Sequence, residues 1–264
     1  MNRWSPTPGS LVGMVHLSAL PGTPAARGSV REMISRAAAE TDILVSAGFD
    51  AILVENMHDV PYMRRTVGSE IVAAMTAAVG TVVRTAGDVP VGVQVLAGAN
   101  REAVSIAHAT GARFVRAEGF AYAAVADEGL LEEADAGPLL RHRKAIRAED
   151  VAIWSDVRKK HSAHAITGDL VLADLVAGHE FMGADAVIIT GSHTGQAVSV
   201  HDLEAARQAG GLPVVVGSGA TADSLPDLLG HADAVIVGSA IKKDGHWANE
   251  LDPERIRSFV EARG

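Results

Sequence analysis

Residues 183–240 repeat one pattern three times. "GADAVIITGSHTG", "LPVVVGSGAT" and "HADAVIVGSAIKK" follow one another, each a short Val/Ile run ending in a small, glycine-rich turn. The first and third share the string "ADAVI". A strand buried on both faces reads as a continuous apolar run, and a glycine at its exit lets backbone approach a ligand closely. Three such units in succession predict βα repeats with a common anion-binding end.

The pattern extends backwards through the chain. Apolar runs at 11–17, 50–56, 89–96, 112–120 and 151–157 precede the final strands at 186–190, 213–217 and 234–238. Helix-sized segments separate them. Ser29 is placed to cap a helix to about residue 47, where Gly48 ends it. Further helices are expected around 71–82, 102–110, 139–147 and 172–176, with a small one near 224–229. Asp252 before Pro253 opens the last, carrying Ile256, Phe259 and Val260. Eight βα units in 264 residues predict a single-domain (β/α)8 barrel, a TIM barrel, over 1–264. A doubly wound open sheet is the competing arrangement, and eight regular units favour closure. The longest irregular connection, 120–137, is expected to act as a lid or an oligomer contact.

Composition narrows the function classes. A net charge of -9 disfavours general nucleic-acid binding. With no cysteine there is no disulfide framework, thiolate metal site or catalytic thiol. No apolar run approaches the ~20 residues of a membrane helix, and "MNRWSPTPGS" has no secretory core. A cytoplasmic protein is expected. Homo-oligomerisation is expected too, with Trp4, Phe120 and Tyr122 burying either at an interface or under the barrel's own loops.

Barrel active sites lie at the C-terminal ends of the strands. The strand exits carry His16, Glu55, Asn56, Gln94, Arg116, Glu118, Asp156, Thr190, Ser192, Ser218 and Ser239. Glu55, Asp156 and His161 are candidates for acid–base chemistry, with His16 beside them. Lys160 could neutralise phosphate or, if desolvated, form a Schiff base. Asn56, Gln94, Arg116, Glu118, Thr190, Thr194 and Gly195 are candidate substrate ligands. Gly191, Ser192, Gly217, Ser218, Gly219, Gly238 and Ser239 form the expected phosphate grip, by backbone N–H and hydroxyl donors. No cofactor is required by any motif; His161 and His164 with Glu55 or Asp156 could bind a divalent metal. Lys242 and Lys243 are expected at the surface, and His108, His179 and His231 in structural roles on helices.

Four segments together carry a resemblance: "GMVHLSALPGTP" at 13–24, "ILVENMHDVPY" at 52–62, "DVRKKHS" at 156–162 and "ITGSHTG" at 189–195. They resemble the BtpA family, which includes proteins called SgcQ, and the likeness spans nearly the whole chain. It implies a barrel similar to the ribulose-phosphate-binding barrels. Family motif positions map to His16, Glu55, Asn56, Asp59, Asp156, Lys160, His161, Thr194 and Gly195. Arg158 and Lys159 precede Lys160 where a simpler lysine–histidine run is expected. Two function classes follow. One is an enzyme on a phosphorylated sugar or nucleotide-like small molecule, performing isomerisation, aldol cleavage or glycosidic hydrolysis. The other is a non-catalytic assembly or stability factor, in line with the family's association with photosystem I accumulation. The acidic loop at 127–135 would be its docking surface.

Overall fold

Residues 3–159, 162–191 and 198–264 are described by the structure, a computed structural model. Eight parallel strands close a barrel in the order β1 (Ser10–His16), β2 (Ala51–Glu55), β3 (Val91–Gln94), β4 (Phe114–Ala117), β7 (Ala152–Asp156), β9 (Ala186–Ile189), β10 (Val214–Val216) and β11 (Ala234–Val237). β11 returns to β1, Ser10 pairing with Ala234. Around them stand α1 (Val30–Ala47), α2 (Ser69–Ala86), α3 (Asn100–Thr110), α4 (Ala136–Ala145), α5 (Leu172–Phe181), α6 (Val200–Ala209), α7 (Leu225–His231) and α8 (Pro253–Arg263). The barrel expectation holds.

The helix ends follow the local chemistry. Ser29 Oγ accepts from the Glu32 amide, and Glu32 reaches back to the Ser29 amide at 2.7 Å, a reciprocal capping box on α1. Gly48 ends α1 at φ 95°, a conformation only glycine adopts cheaply. Asp252 caps α8 through the amides of Glu254 and Arg255.

Two cores divide along the strands because side chains alternate sides. One set, including Leu11, Ile52, Val93 and Val187, packs outward against the helices. The other, including Val12, Met14, Leu53, Phe114, Trp154, Ile188 and Ile236, fills the barrel. Phe114 and Trp154 stack at 4.1 Å between centroids. Space for that stack comes from Gly92 opposite, where a Cβ would lie 2.3 Å from the Phe114 ring. Trp4 stacks on the same pair at 5.0 and 5.2 Å and closes the N-terminal end of the barrel. Phe120 is wholly buried. Both rings are therefore engaged within the chain itself.

The connection at 120–137 is more regular than expected. It contains a hairpin, β5 (Ala124–Ala126) and β6 (Gly129–Leu131), joined by β8 (Ser162–Ala163) from the loop after β7. Alternation in so short a hairpin is too brief to read from sequence, and its third strand lies far along the chain. Arg64 and Arg65, from the loop after β2, bind it. Arg64 donates to the Leu130 carbonyl; Arg65 donates to the carbonyls of Glu118, Gly119 and Glu133. Among the described residues, no helix is long and apolar enough to cross a membrane.

Replacing Gly92 by alanine is expected to cost about 1–3 kcal/mol through overpacking against Phe114. Gly80→Ala on α2, where a Cβ would meet nothing closer than 3.6 Å, is expected to gain about 0.4–1 kcal/mol. Urea denaturation of both variants measures this, and equal effects would contradict the packing account.

Candidate active site

Strand alternation that packs Val12, Leu53 and Phe114 into the barrel also aims the residues above them into its mouth. His16 pairs in register with Glu55, and Glu55 with Gln94. Val93 pairs with Val115, which puts Gln94 beside Arg116. One rung therefore carries His16, Glu55, Gln94 and Arg116 across four neighbouring strands. Glu118 follows just past the end of β4, and Asp156 ends β7. Four of these six, His16, Glu55, Gln94 and Asp156, end their strands, and all are buried except Arg116, whose side chain is largely buried at 13% exposure.

The electrostatics are dominated by a bidentate ion pair. Arg116 Nε and Nη2 donate to Asp156 Oδ2 and Oδ1, both at 2.9 Å. Burial works against the guanidinium charge, but Asp156 and then Glu55 and Glu118 raise its pKa. No described residue accepts from Arg116 Nη1. Glu55 is pushed up to about 7, chiefly by burial; Arg116 opposes this, and Glu118 and Asp156 reinforce it. His16 is pushed down to about 3 by burial and by the Lys242 cation. Its Nδ1 lies 3.2 Å from the Trp247 carbonyl, which can only accept, so the neutral ring carries its proton there. Nε2 then presents a lone pair to Glu55 Oε2 at 3.5 Å. A neutral imidazole facing a carboxyl that titrates near neutrality forms a coherent proton-handling pair.

Glu118 is raised by burial, with Lys159 pulling against it. Lys159 Nζ lies 3.3 Å from Glu118 and 3.1 Å from Glu128 at the hairpin turn. Burial favours a neutral lysine, but the two carboxylates prevail and hold its pKa above the ordinary value. A crevice lined by Tyr122, Leu131, Asp156, Lys159, His164 and Leu175 runs beneath the hairpin.

The glycine turns sit on the opposite side, at the exits of β10 and β11. Gly217 has a packing reason of its own: a Cβ there would lie 2.5 Å from Ile188 and 2.6 Å from Thr190, with Arg116 Nη2 at 3.4 Å. Gly219 holds φ 81°. Glycine alone therefore does not argue for a ligand. Other features point to one. Ser218 Oγ is buried with no hydrogen-bond partner among the described residues. The amides of Ser218, Gly219, Gly238 and Ser239 find no acceptor among the described residues.

Some expected ligands are engaged otherwise. Asn56 donates to Asp59 at 2.9 Å and accepts from the Leu96 amide at 2.7 Å, while Asp59 accepts from the Leu20 amide. Asn56 and Asp59 thus tie together the loops after β1, β2 and β3. Thr190 donates to the Arg158 carbonyl. Lys242, expected at the surface, is 1% exposed, with Nζ 3.6 Å from Glu40 on α1. Its aliphatic stem packs inside while Glu40 meets the charge, an arrangement that a surface reading of "KK" does not reveal. His179 is buried as expected and bonds Ser155 at 2.8 Å. Gly191 is buried at the exit of β9. Lys160, His161, Ser192, Thr194 and Gly195 lie outside the described residues. Among the described residues, no cluster of three His, Asp or Glu could hold a metal ion; His164 Nε2 lies 3.1 Å from the Lys159 carbonyl. Sequence reading missed Lys159, one position from the lysine it favoured, and Glu128, whose role needs the hairpin.

Fold and site define a parallel (β/α)8 barrel with buried ionisable groups at its C-terminal mouth. Solved barrels share the architecture. Thiamine phosphate pyrophosphorylase from Pyrococcus furiosus superposes with a TM-score of 0.60 at 12% identity, covering 97% of this chain and 96% of its own. The 3-hexulose-6-phosphate synthase of Salmonella typhimurium gives 0.58 at 18%, covering 96% and 97%. The chain belongs to the BtpA family, whose model matches residues 7–263. An uncharacterized mitochondrial protein of Caenorhabditis elegans is 40% identical, over 94% of this chain and 91% of that protein. The photosystem I biogenesis protein BtpA of Synechocystis is 36% identical, over 96% and 87%.

Two outcomes are expected from these charges. Asp156→Ala leaves a buried guanidinium unpaired and should cost about 3–5 kcal/mol in urea denaturation. Glu55 takes up a proton on folding, because its folded pKa of about 7 exceeds its ordinary 4.5. Its stabilising contribution is complete below 4.5 and is lost as pH rises through 7. The melting temperature of Glu55→Gln relative to the parent should therefore climb across that window and level off above it. A flat difference would contradict the burial-raised carboxyl.

Proposed function

We propose that this protein is an enzyme that acts on a phosphorylated small molecule by acid–base chemistry. The observation that carries this reading is the meeting of two unlike sets of groups at one mouth. Amides and the Ser218 hydroxyl that find no partner among the described residues stand at the β10 and β11 exits. Next to them around the barrel, on β1 and β2, stand the neutral His16 imidazole, 3.4 Å from a Cβ position at Gly238, and Glu55, a buried carboxyl with a pKa of about 7. Backbone N–H groups suit phosphate oxygens, and a group titrating near the working pH suits proton transfer. Arg116, reaching to within 3.4 Å of a Cβ position at Gly217, supplies positive charge there.

The solved neighbours named for phosphorylated compounds share only the fold at this level of identity, so the phosphate reading rests on the turns of this chain. A binding-only role, such as the Synechocystis relative's name describes for that protein, has no use for a buried acid facing a buried histidine. Burying ionisable groups costs stability, and such groups gather where chemistry needs them.

Thermal unfolding in the presence of sugar phosphates and inorganic phosphate tests the reading. A ligand at a hundred times its Kd adds about 2.7 kcal/mol, on the order of 5–10 °C for a chain of this length. The shift should appear with at least one phosphate ester and vanish in Ser218→Asp, which places a carboxylate in the cradle. No response to any phosphate would refute the proposal.

A further inference from the structure

The chemistry left available to the mouth narrows once each group's commitments are counted. Glycosidic hydrolysis by a carboxyl pair needs two free carboxyls. Both oxygens of Asp156 are occupied by Arg116 at 2.9 Å. Schiff-base chemistry needs an amine that can lose its proton. Lys159 is held between Glu118 and Glu128; Lys242, although burial lowers its pKa, is committed to Glu40 on α1, 3.6 Å from its Nζ. Among the described residues this leaves one carboxyl free of a cation, Glu55, and one fixed cation with an unspent edge, Arg116.

Their geometry suits a specific task. Glu55 and Arg116 occupy the same rung, separated by Gln94 on β3. Two strand spacings set their backbones about 10 Å apart, and both side chains point inward. Asp156 fixes the guanidinium through Nε and Nη2, so its orientation is set before any ligand arrives, and Nη1 is left to donate. Gln94 between them has Oε1 buried without a partner, an acceptor for a substrate hydroxyl. A carbonyl oxygen against Nη1, a hydroxyl against Gln94 and a C–H against Glu55 describe adjacent carbons of an α-hydroxy carbonyl compound.

Resting on the phosphate reading above, we propose that the substrate is an aldose or ketose phosphate. Glu55 moves a proton between its two adjacent carbons while Arg116 Nη1 holds the carbonyl oxygen. Glu55 as carboxylate removes the proton from the carbon bearing the hydroxyl. That C–H pair becomes the C=C bond of an enediolate, and the carbonyl π pair moves onto the oxygen beside Arg116. The neighbouring hydroxyl passes its proton to that oxygen, its own electrons re-form a carbonyl, and Glu55 returns its proton to the other carbon. The interconversion is internally balanced and consumes no co-reactant. His16 is a positioning residue here, its Nε2 orienting the Glu55 carboxyl.

The test is solvent hydrogen exchange. The protein is incubated in D2O with ribose 5-phosphate, ribulose 5-phosphate, fructose 6-phosphate and glyceraldehyde 3-phosphate, and deuterium at the carbons flanking the carbonyl is followed by NMR. At least one compound should exchange above the buffer rate. Glu55→Gln should lower that rate about 100-fold or more while keeping the phosphate-dependent rise in melting temperature, which also shows that the variant is folded. Glu55→Asp, with a carboxyl drawn back by one methylene, should retain measurable exchange, and it carries the test if the glutamine variant does not fold. Stabilisation by a sugar phosphate without exchange would overturn the proton-transfer inference and leave the phosphate reading standing. Full exchange in Glu55→Gln would remove Glu55 from the role. No stabilisation by any of the four would overturn both.

Discussion

The Arg116–Asp156 pair is the constraint on which the mouth depends. A buried guanidinium is tolerated only when its charge and donors are met, and Asp156 meets two of them in a planar fork. This fixes the direction of the Arg116 side chain across the barrel axis, toward the β10 exit. Gly217 completes the arrangement, since any Cβ there would collide with Ile188 and Thr190 and crowd the guanidinium. The other acids are tuned around this fixed cation. Burial raises Glu55 despite Arg116, because Asp156 has already answered most of that charge.

The two ends of the chain cooperate at His16. Its tautomer is set by the Trp247 carbonyl, in the loop between β11 and α8. That loop is held by Lys242, whose ammonium meets Glu40 on α1. The cation also helps to hold His16 neutral. Barrel closure, which pairs β11 with β1, is thus what brings the anchoring lysine and the first strand's histidine together. A structural ion pair beneath the mouth and a proton acceptor within it are linked through one loop.

The barrel was legible because its signals are local. Each barrel strand lies in a short, mostly apolar run with a polar or glycine exit, and the caps at Ser29, Gly48 and Asp252 depend only on neighbouring residues. Position at a strand exit also picked out Glu55, Arg116, Glu118 and Asp156. What exit position does not carry is partnership. Asn56 and Glu55 are adjacent in sequence, yet one ties loops and the other faces the cavity, because alternation turns them to opposite sides. The hairpin at 124–131 was hidden for a related reason, as its stabilising strand at 162–163 comes from a different loop. Lys242 reads as surface charge until Glu40, about two hundred positions earlier, is placed beside it.

Lys159 joins these levels. As the bridge between Glu118 in the mouth and Glu128 on the hairpin, it couples the hairpin to the charge balance of the mouth. Displacing the hairpin would remove Glu128 from the ammonium and leave Glu118 as its main counter-ion. A phosphorylated ligand entering the mouth would compete for the same cation. Hairpin position and ligand charge would therefore act on one lysine. His16 and Glu55 stand on the far side of Gln94, yet Glu55 still feels both Glu118 and Lys159, so a change at the lysine reaches that carboxyl through the electrostatics of the mouth.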